Sequence, residues 1–383
     1  MRLTVPFRAA AFAVLVLATA ACGAGTPAPA TTPAAAPATS AVDLTREAGG
    51  VTADADLGAL CRERFGDIEV ERVLRVGLIT DSGDVRDGSF NQFAYEGMQA
   101  AARCFGFETS YIASGTSENE AHLRELVEEG MDAVITVGFP LAAATATVAA
   151  SHPDVQFIGV DQVTDYDGDN YARVTFSDDQ AGFLAGAVAG MLTGSGIVGV
   201  VAGPDDIPPV VALADGFEAG VASLAADVTV LREHLDSFSD QEGGAAQADE
   251  FAASGADVIY APAGLTGSGA ILHAAQQGHW VIGVDQDQYL TTFQGGGVTG
   301  SDRIVTSTVK RVDLGVFLQL VDVAAGAFRG GPVVMDAATG GVTYAPAHEA
   351  AIPEDVHTRL EEIRAGLASG ELQAASSPGG DRG

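Results

Sequence analysis

The feature that most constrains the fold is a short apolar run that recurs along the chain. Each run is rich in β-branched residues, does not alternate with polar residues, and is soon followed by Gly, Pro or Asp and then by a helical stretch. Because such runs suit strands that are covered on both faces, the pattern predicts an α/β architecture with doubly wound parallel sheets. The runs are Val76–Ile79, Val134–Val137, Phe157–Val160, Ile197–Val201, Val258–Ala261 and Val281–Val284.

Charge and length set further limits. The chain has 383 residues and a formal net charge of −32. A nucleic-acid binder neutralises phosphates with clustered Lys and Arg, so this charge argues against nucleic acid as a partner and disfavours anionic ligands. Leaving aside the two low-complexity ends, about 320 residues remain, which is more than one core usually covers, so two lobes are expected.

The N-terminus has the layout of a lipoprotein signal. Arg2 and Arg8 precede the apolar stretch 9–17, and small residues follow up to Cys22. This stretch is too short to span a membrane and is typical of a secretory signal. Residues 19–22 resemble a lipobox, so residues 1–22 are predicted to be a lipoprotein signal peptide, with Cys22 lipidated and the protein anchored on the extracytoplasmic face of the cell membrane. The alternative is a cleaved secretory peptide with an incidental Cys22.

Low complexity marks both ends of the mature chain. Residues 24–50 consist mostly of Ala, Pro, Thr and Gly without an apolar stripe, so they cannot bury enough surface to offset chain entropy. We expect residues 23–70 to be a disordered tether that leads into the first strand. Residues 369–383 are expected to be a disordered tail.

The chain has three cysteines, which fit this export route. Once Cys22 is lipidated, Cys61 and Cys104 remain as an even pair in an oxidising compartment. We expect these two to be bridged. Two separate buried thiols are the alternative, since the sequence does not give the Cα separation that a disulfide needs.

Polar and aromatic residues cluster where the first strand ends. Asp81, Ser89, Phe90 and Asn91 lie between the run Val76–Ile79 and a stretch of helical periodicity. In open α/β sheets, strand ends and helix N-termini converge at this edge and bind small molecules. The sequence Leu-Ile-Thr-Asp followed by Gly-Ser-Phe-Asn-Gln resembles the signature of the basic membrane protein family, which consists of substrate-binding lipoproteins of ABC transporters typified by purine nucleoside receptors.

This resemblance extends over nearly all of residues 74–330 and implies a type I periplasmic-binding-protein fold, with two doubly wound parallel-sheet lobes joined by a three-segment hinge. It also implies a nucleoside ligand and the permease subunits of an ABC transporter as partners; a monomer is expected. The N-terminal lobe is expected at residues 71–163 and 292–329, and the C-terminal lobe at residues 164–291 and 330–368. The crossings between lobes are expected near residues 161–170, 285–292 and 329–333.

Four further segments match the family and, by resemblance, line the cleft between the lobes. An ionised Asp285 is expected to accept from the vicinal hydroxyls of a ribose. Lys310 is expected to donate to a ribose oxygen while balancing the buried carboxylate, and Asp161 to reach a sugar hydroxyl from its own strand end. The four segments are residues 157–161, 260–267, 281–288 and 307–313.

The other predicted contacts concern mainly the base of the ligand. Phe90 is expected to stack on the face of a heteroaromatic base, and Asp81 and Asn91 to meet its edge. Gly138 and Gly264 are expected to let the backbone approach the ligand, because they lack a Cβ atom. Ser89 is included among the ligand-binding residues as part of the same junction.

Each assignment has a structural alternative. Asp81 or Asn91 also suits a helix cap, and Phe90 also suits the core. Lys310 lies in a stretch that reads as helical, where solvent exposure is the default for a lysine.

One position departs from the family pattern. Members often carry Asp-Ile-Pro followed by an aromatic residue at a fixed distance, where this chain has Leu213. Leucine packs against a base without being an aromatic partner, so a strict purine preference is left open. Phe176 and Phe238 are the candidates for a replacement wall.

An enzyme is disfavoured on the sequence. The histidines are scattered without a metal-binding spacing, and the chain has no Gly-x-Ser-x-Gly elbow. No metal and no cofactor are therefore expected. Three alternatives stay open, namely a nucleoside hydrolase that uses Asp285 and Asp287, a ribose-like sugar receptor, and a nucleoside-sensing receptor without a transporter.

Overall fold

The computed structural model describes residues 56–80, 83–114 and 118–374. The predicted signal peptide with Cys22, the tether up to residue 55, Asp81, and the part of the predicted tail from residue 375 onward lie outside the described residues. Residues 369–374 of that predicted tail are described, and Ala374 is buried in the core of the second lobe, which corrects the expectation of a disordered tail from residue 369. Among the described residues, no helix has both the length and the apolar character that crossing a membrane requires.

Two six-stranded sheets form the framework of the described chain. The first sheet has the spatial order β11 (Gly331–Met335), β5 (Tyr171–Phe176), β4 (Gln156–Val160), β3 (Ala133–Val137), β1 (Arg75–Thr80) and β2 (Glu108–Ala113). The second has the order β12 (Val342–Tyr344), β10 (Ile304–Lys310), β9 (Trp280–Asp285), β8 (Val258–Tyr260), β6 (Ile197–Ala202) and β7 (Thr229–His234). The described strands pair in parallel, except that β12 is antiparallel to β10.

Helices alternate with these strands along the described chain. Short 3-10 turns occur at Phe139–Leu141, Gln294–Gly296 and Ser301–Arg303. The α-helices are α1 (Leu57–Leu60, continued by a π-helical turn at Cys61–Phe65), α2 (Phe90–Phe105), α3 (Asn119–Glu128), α4 (Ala142–Ser151), α5 (Asp178–Leu192), α6 (Pro208–Leu224), α7 (Gln241–Ala253), α8 (Gly264–Gln276), α9 (Val312–Ala324) and α10 (Glu354–Ser369).

The burial of the strands explains the apolar runs. Strands β3 and β10 are buried at every position, and β1, β4, β6 and β9 are buried at all but their first residue. Strands covered on both faces have no polar side to alternate with. The six predicted runs fall on β1, β3, β4, β6, β8 and β9, and the doubly wound two-lobe fold is confirmed.

The chain passes between the sheets at three places. It leaves the first sheet after β5, returns at Arg311 between β10 and α9, and leaves again between β11 and β12. Helix α5 packs on α6 beside the second sheet, and α9 packs on α2 beside the first. The crossings therefore lie near residue 177, at residue 311 and at residues 336–341, which differs from the positions expected on the sequence.

Three strands account for this difference. Strand β5 carries Arg173 and Thr175 at half-buried positions, and β11 begins Gly-Pro with alternating exposed residues, so neither has the continuous apolar run of a central strand. Both belong to the first sheet, although the predicted boundaries place them in the second lobe. Strand β10 belongs to the second sheet, and Lys310 ends this strand instead of lying in a helix.

Part of the segment before the first strand is helical and packs against the first lobe. Leu57, Leu60, Cys61 and Phe65 are buried in the core that also holds α2 and α9. The Phe65 ring lies 6.1 Å from that of Phe317 in α9. A disulfide joins Cys61 to Cys104 near the end of α2, with the two Cα atoms 6.0 Å apart. Residues 57–65 are thus a packed helix, which corrects the expectation of a tether that extends to residue 70.

Removing the disulfide is expected to lower the free energy of unfolding by about 3–4 kcal/mol, since it closes a loop of 43 residues in the unfolded chain. The measurement is urea unfolding of the protein and of its Cys61→Ala/Cys104→Ala variant. Titration of free thiols in the denatured, unreduced protein is the control. Two reactive thiols from Cys61 and Cys104 in that titration would show that the bridge does not form.

Candidate functional site

A cavity lies between the two lobes, at the edge where strand ends from both sheets meet. The first lobe contributes Asp87, Phe90, Asn91, Gly138, Phe139 and Asp161 to its wall. The second lobe contributes Leu213, Phe238, Gly264, Leu265, Asp285 and Lys310. All predicted ligand-binding residues except Asp81 and Ser89 therefore line this cavity. Gly138 and Gly264 have backbone φ angles of 113° and 56°, which favour glycine.

The two aspartates of the wall come from the same five-residue sequence, Ile-Gly-Val-Asp-Gln. In the first lobe its aspartate, Asp161, directly follows β4, and in the second lobe its aspartate, Asp285, is the last residue of β9. Both aspartates have a positive φ, 54° and 68°, a conformation that few residues other than Gly, Asn and Asp adopt. The same strand ending thus places one carboxylate on the cavity wall from each lobe.

Lys310 is the cation of this site. Its side chain is 2% exposed, and Nζ donates to Asp161 Oδ2 at 2.6 Å and lies 2.7 Å from Asp178 Oδ1. Nζ also lies 5.4 Å from the Phe90 ring centroid and 5.1 Å from that of Phe176. Burial alone would lower the pKa of the Lys310 ammonium, but the charges of Asp161 and Asp178 outweigh this effect and raise it.

The buried charges do not balance within the cluster. Asp161, Asp178 and Asp285 are all buried around Lys310. Burial raises the pKa of the Asp285 carboxyl, opposed by the positive charge of Lys310. Burial likewise raises the pKa of Asp178, to about 8, again opposed by Lys310. The Oδ1 atom of Asp161 is buried without a hydrogen-bond partner in the described part of the protein, so it is an acceptor available to a ligand hydroxyl.

The N-terminus of α2 is capped by Asp87. Its carboxylate accepts the backbone N–H groups of Ser89 at 2.9 Å and of Asn91 and Gln92 at 3.1 Å. The structural alternative considered for Asn91, a helix cap, is thus filled by another residue. Asn91 is one of the residues that line the cavity, and its side chain hydrogen-bonds the Asp87 carboxylate.

Ser89 connects the two lobes and does not lie on the cavity wall. Its Oγ donates to Asp285 Oδ2 at 2.8 Å, and its carbonyl accepts from Gln286 Nε2 at 2.8 Å. Thr291 Oγ1 donates to the neighbouring carbonyl of Gly88, also at 2.8 Å. These contacts suit a residue that orients Asp285 and stabilises the closed arrangement of the lobes.

The structure separates the two candidates for a second aromatic wall. Phe238, between β7 and α7, lies on the cavity wall together with Leu213. Phe176 ends β5 and faces Lys310. An aromatic ring from each lobe, Phe90 and Phe238, thus contributes to the wall.

Two features of the site were missed on the sequence. Asp178 follows β5, a strand that the pattern of apolar runs does not predict, so the sequence gives no reason to expect its carboxylate near Lys310. A second feature was available in the sequence: Lys310 is the only lysine of the 383 residues, beside 18 arginines. A compact ammonium is not interchangeable with a guanidinium, so the one lysine of an arginine-using chain is a candidate for a specific role.

A metal site is not formed by the described residues. No group of three His, Cys, Asp or Glu side chains within residues 56–80, 83–114 and 118–374 is arranged to hold a metal ion.

Known proteins resemble this chain in sequence. The model of a family described as ABC transporter substrate-binding protein PnrA-like matches residues 74–362. A CD4+ T-cell-stimulating antigen of Listeria innocua is 30% identical over 338 residues, which cover 82% of this chain and 92% of that protein. The ABC transporter nucleoside-binding protein BmpA of Lactococcus lactis is 30% identical over 282 residues, or 70% of this chain and 79% of that protein.

Solved structures share the architecture. A solute-binding protein of an ABC transporter system from Aeropyrum pernix K1 superimposes with a TM-score of 0.70 at 25% identity, covering 81% of this chain and 94% of that one. A solute-binding protein from Conexibacter woesei gives a TM-score of 0.63 at 23% identity, with 79% and 98% covered, and supports the fold alone.

Proposed function

Since the chain belongs to the PnrA-like family of ABC transporter substrate-binding proteins, we propose that it captures nucleosides in the cavity between its lobes and delivers them to a membrane permease. It acts as a monomer held at the extracytoplasmic face of the cell membrane by a lipid on Cys22. The observation that carries the proposal is the pair Asp161 and Asp285, which face one cavity from opposite lobes with Lys310 beside them.

The charged side chains of the cavity wall suit a ribose. Vicinal hydroxyls are donors, and ionised carboxylates accept them in charge-assisted hydrogen bonds. Asp285 is the acceptor in the second lobe, and the unpartnered Oδ1 of Asp161 is the acceptor in the first. Lys310 offers a donor to a ribose oxygen. A ligand that bonds to both lobes favours their closed arrangement, because it binds that state more tightly.

The aromatic and aliphatic side chains of the wall suit a flat base. Phe90 and Phe238 lie on the wall from opposite lobes, with Leu213 and Leu265 nearby. An aromatic contact adds about 0.5–1.5 kcal/mol beyond the area that it buries. Asn91 offers both a donor and an acceptor to the edge of the base. Purines, with the larger face, are the favoured nucleosides.

The ligand class is tested by mass spectrometry of small molecules released when the freshly purified protein is denatured. A nucleoside in the extract supports the proposal. A pentose or hexose without a nucleoside favours the sugar-receptor alternative, and free base formed on incubation with inosine favours a hydrolase.

Replacing Phe90 with alanine is expected to weaken inosine binding by about tenfold, since the variant loses both the stacking contact and the buried area. The affinity of the variant for free ribose is expected to stay within about twofold of that of the wild type, because ribose has no base to stack. Calorimetric titration of both ligands into the protein and the Phe90→Ala variant measures this difference. An equal loss for inosine and ribose would contradict base stacking on Phe90.

The lipid anchor rests on the sequence around Cys22, which lies outside the described residues. Cys22→Ala is expected to release the protein from the membrane fraction or to leave it unprocessed, because the acyl acceptor is missing. Fractionation and intact-mass measurement of the two proteins decide this. A variant that stays membrane-associated and acylated would rule out Cys22 as the anchor.

A further inference from the structure

We propose that Asp178 is a positioning residue, which acts on the ligand through Lys310 by fixing the direction of its ammonium group. It goes beyond the ligand contacts proposed above, because Asp178 is not among the residues of the cavity wall.

The position of Asp178 in the fold supports this role. It is the first residue of α5, directly after the crossing at residue 177, and it is buried. Lys310 comes from the second sheet and Asp161 from the first. The contacts of Lys310 with Asp161 Oδ2 (2.6 Å) and Asp178 Oδ1 (2.7 Å) therefore join both lobes and the hinge at one nitrogen atom.

The geometry of an ammonium group gives the consequence. A lysine has three N–H donors on a rotatable bond. Asp161 Oδ2 accepts one of them, whereas Asp178 Oδ1 lies 2.7 Å from Nζ as an ion-pair contact without the alignment of a hydrogen bond. The two carboxyls thus hold Nζ from two sides, beside the cavity whose wall Lys310 helps to form. With Asp161 alone, the group rotates about a single contact and its free donors are not directed. Asp178 thus determines where the ligand finds a hydrogen-bond donor.

Asp178 acts on Lys310 through an oxygen atom that lies 2.7 Å from Nζ. Burial raises the pKa of Asp178 to about 8, opposed by the positive charge of Lys310. An asparagine offers a similar oxygen without the charge, whereas an alanine offers none. The titratable groups that face Asp178 are Lys310 on β10, Asp161 after β4, Asp285 at the end of β9 and Tyr260 on β8.

The only lysine of the chain makes this inference directly measurable. Labelling with ¹³C,¹⁵N-lysine gives a single side-chain NMR signal, that of Lys310, when the protein is expressed without added lysines. The variants are Asp178→Ala, Asp178→Asn and Asp179→Ala. Asp179 is the matched control, because it lies in the same helical turn, is half-buried and makes no contact with Lys310.

The NMR experiment needs no ligand, so it is independent of the proposed function. The Lys310 signal of the wild type and of Asp179→Ala is expected to shift with a titration step above the ordinary carboxyl range, as Asp178 ionises. This step is expected to be absent in Asp178→Asn. Lys310 signals that respond to pH identically in the wild type and in Asp178→Asn would overturn the inference, whether or not the alanine variant folds.

The affinity experiment rests on the proposed function. At pH 7, Asp178→Ala is expected to weaken inosine binding by about tenfold or more, because the ammonium group of Lys310 loses one of its two carboxyl contacts and its donors are no longer directed at the ligand. Asp178→Asn and Asp179→Ala are expected to stay within about threefold of the wild type. Unchanged affinity in a folded Asp178→Ala variant would overturn the inference. Failure of the wild type to bind any nucleoside would refute the proposed function, and the Lys310 signal would still decide the role of Asp178.

Discussion

Replacing Lys310 with methionine is expected to abolish nucleoside binding and to lower the free energy of unfolding by about 3–5 kcal/mol, the usual cost of removing one partner of a buried ion pair. Methionine is similar in length and apolar, so packing is largely kept and the charge is lost. The carboxyls of Asp161, Asp178 and Asp285 then remain buried without a cation among them.

The loss of stability is expected to depend on pH. Without Lys310, the pKa values of Asp178 and Asp285 rise further in the folded state, because the positive charge that lowers them is gone. A group with a raised folded pKa contributes stability at low pH and loses it as the pH rises through that pKa. The destabilisation is therefore expected to be larger at pH 8 than at pH 5.

Urea unfolding at both pH values measures this effect. Arg124→Met is the control, because Arg124 forms an exposed ion pair with Glu120 in α3, and such pairs contribute about 0–1 kcal/mol. A Lys310→Met variant as stable as the Arg124→Met control at pH 8 would show that Lys310 does not compensate the buried carboxylates.

Asp285→Asn is expected to weaken nucleoside binding by about ten- to hundredfold, which corresponds to the 1.5–3 kcal/mol of a hydrogen bond to a charged group. Asparagine is the informative substitution because it tolerates the φ of 68° at this position. A loss of affinity then reports the missing carboxylate and not backbone strain.

Asp287→Asn is the matched control for this experiment. Asp287 lies two residues further along, and its carboxylate pairs with His348 at 2.6 Å and is not on the cavity wall. Its affinity is expected to stay within about twofold of the wild type, since it loses no ligand contact. Equal losses in Asp285→Asn and Asp287→Asn, measured by calorimetry with inosine, would contradict a direct contact between Asp285 and the ribose.

The framework of the fold could be predicted from the sequence because each central parallel strand appears there as a continuous apolar run. Runs such as Phe157–Val160 have no polar side, and they correspond to strands buried on both faces. Strand β5 could not be found in this way, because it alternates at the hinge side of the sheet, between β4 and the edge strand β11. The sheet to which β10 or β11 belongs depends on where the chain crosses between the lobes, and no local sequence pattern indicates such a crossing.

The residues of the candidate site likewise divide into those that follow predicted strands and those that follow strands the apolar runs do not predict. Asp161, Asp285 and Phe90 follow recognisable strand ends, so their meeting at one cavity could be expected. Asp178 and Phe238 follow β5 and β7, neither of which was among the predicted runs. Their contacts with the site depend on the hinge and on the packing of the second lobe. The role of Ser89 as a link between lobes likewise required the position of Asp285 in the other sheet.

The central claim is that the cavity takes a whole nucleoside, with its ribose at the carboxylates and its base at the aromatic rings. Calorimetric titration of the wild-type protein with inosine, adenosine, cytidine, ribose and glucose tests it most directly. The expected result is saturable binding of the purine nucleosides at one site per chain, with ribose and glucose weaker by tenfold or more, since they lack the base contacts. Binding of ribose or glucose as tight as that of every nucleoside would contradict the account.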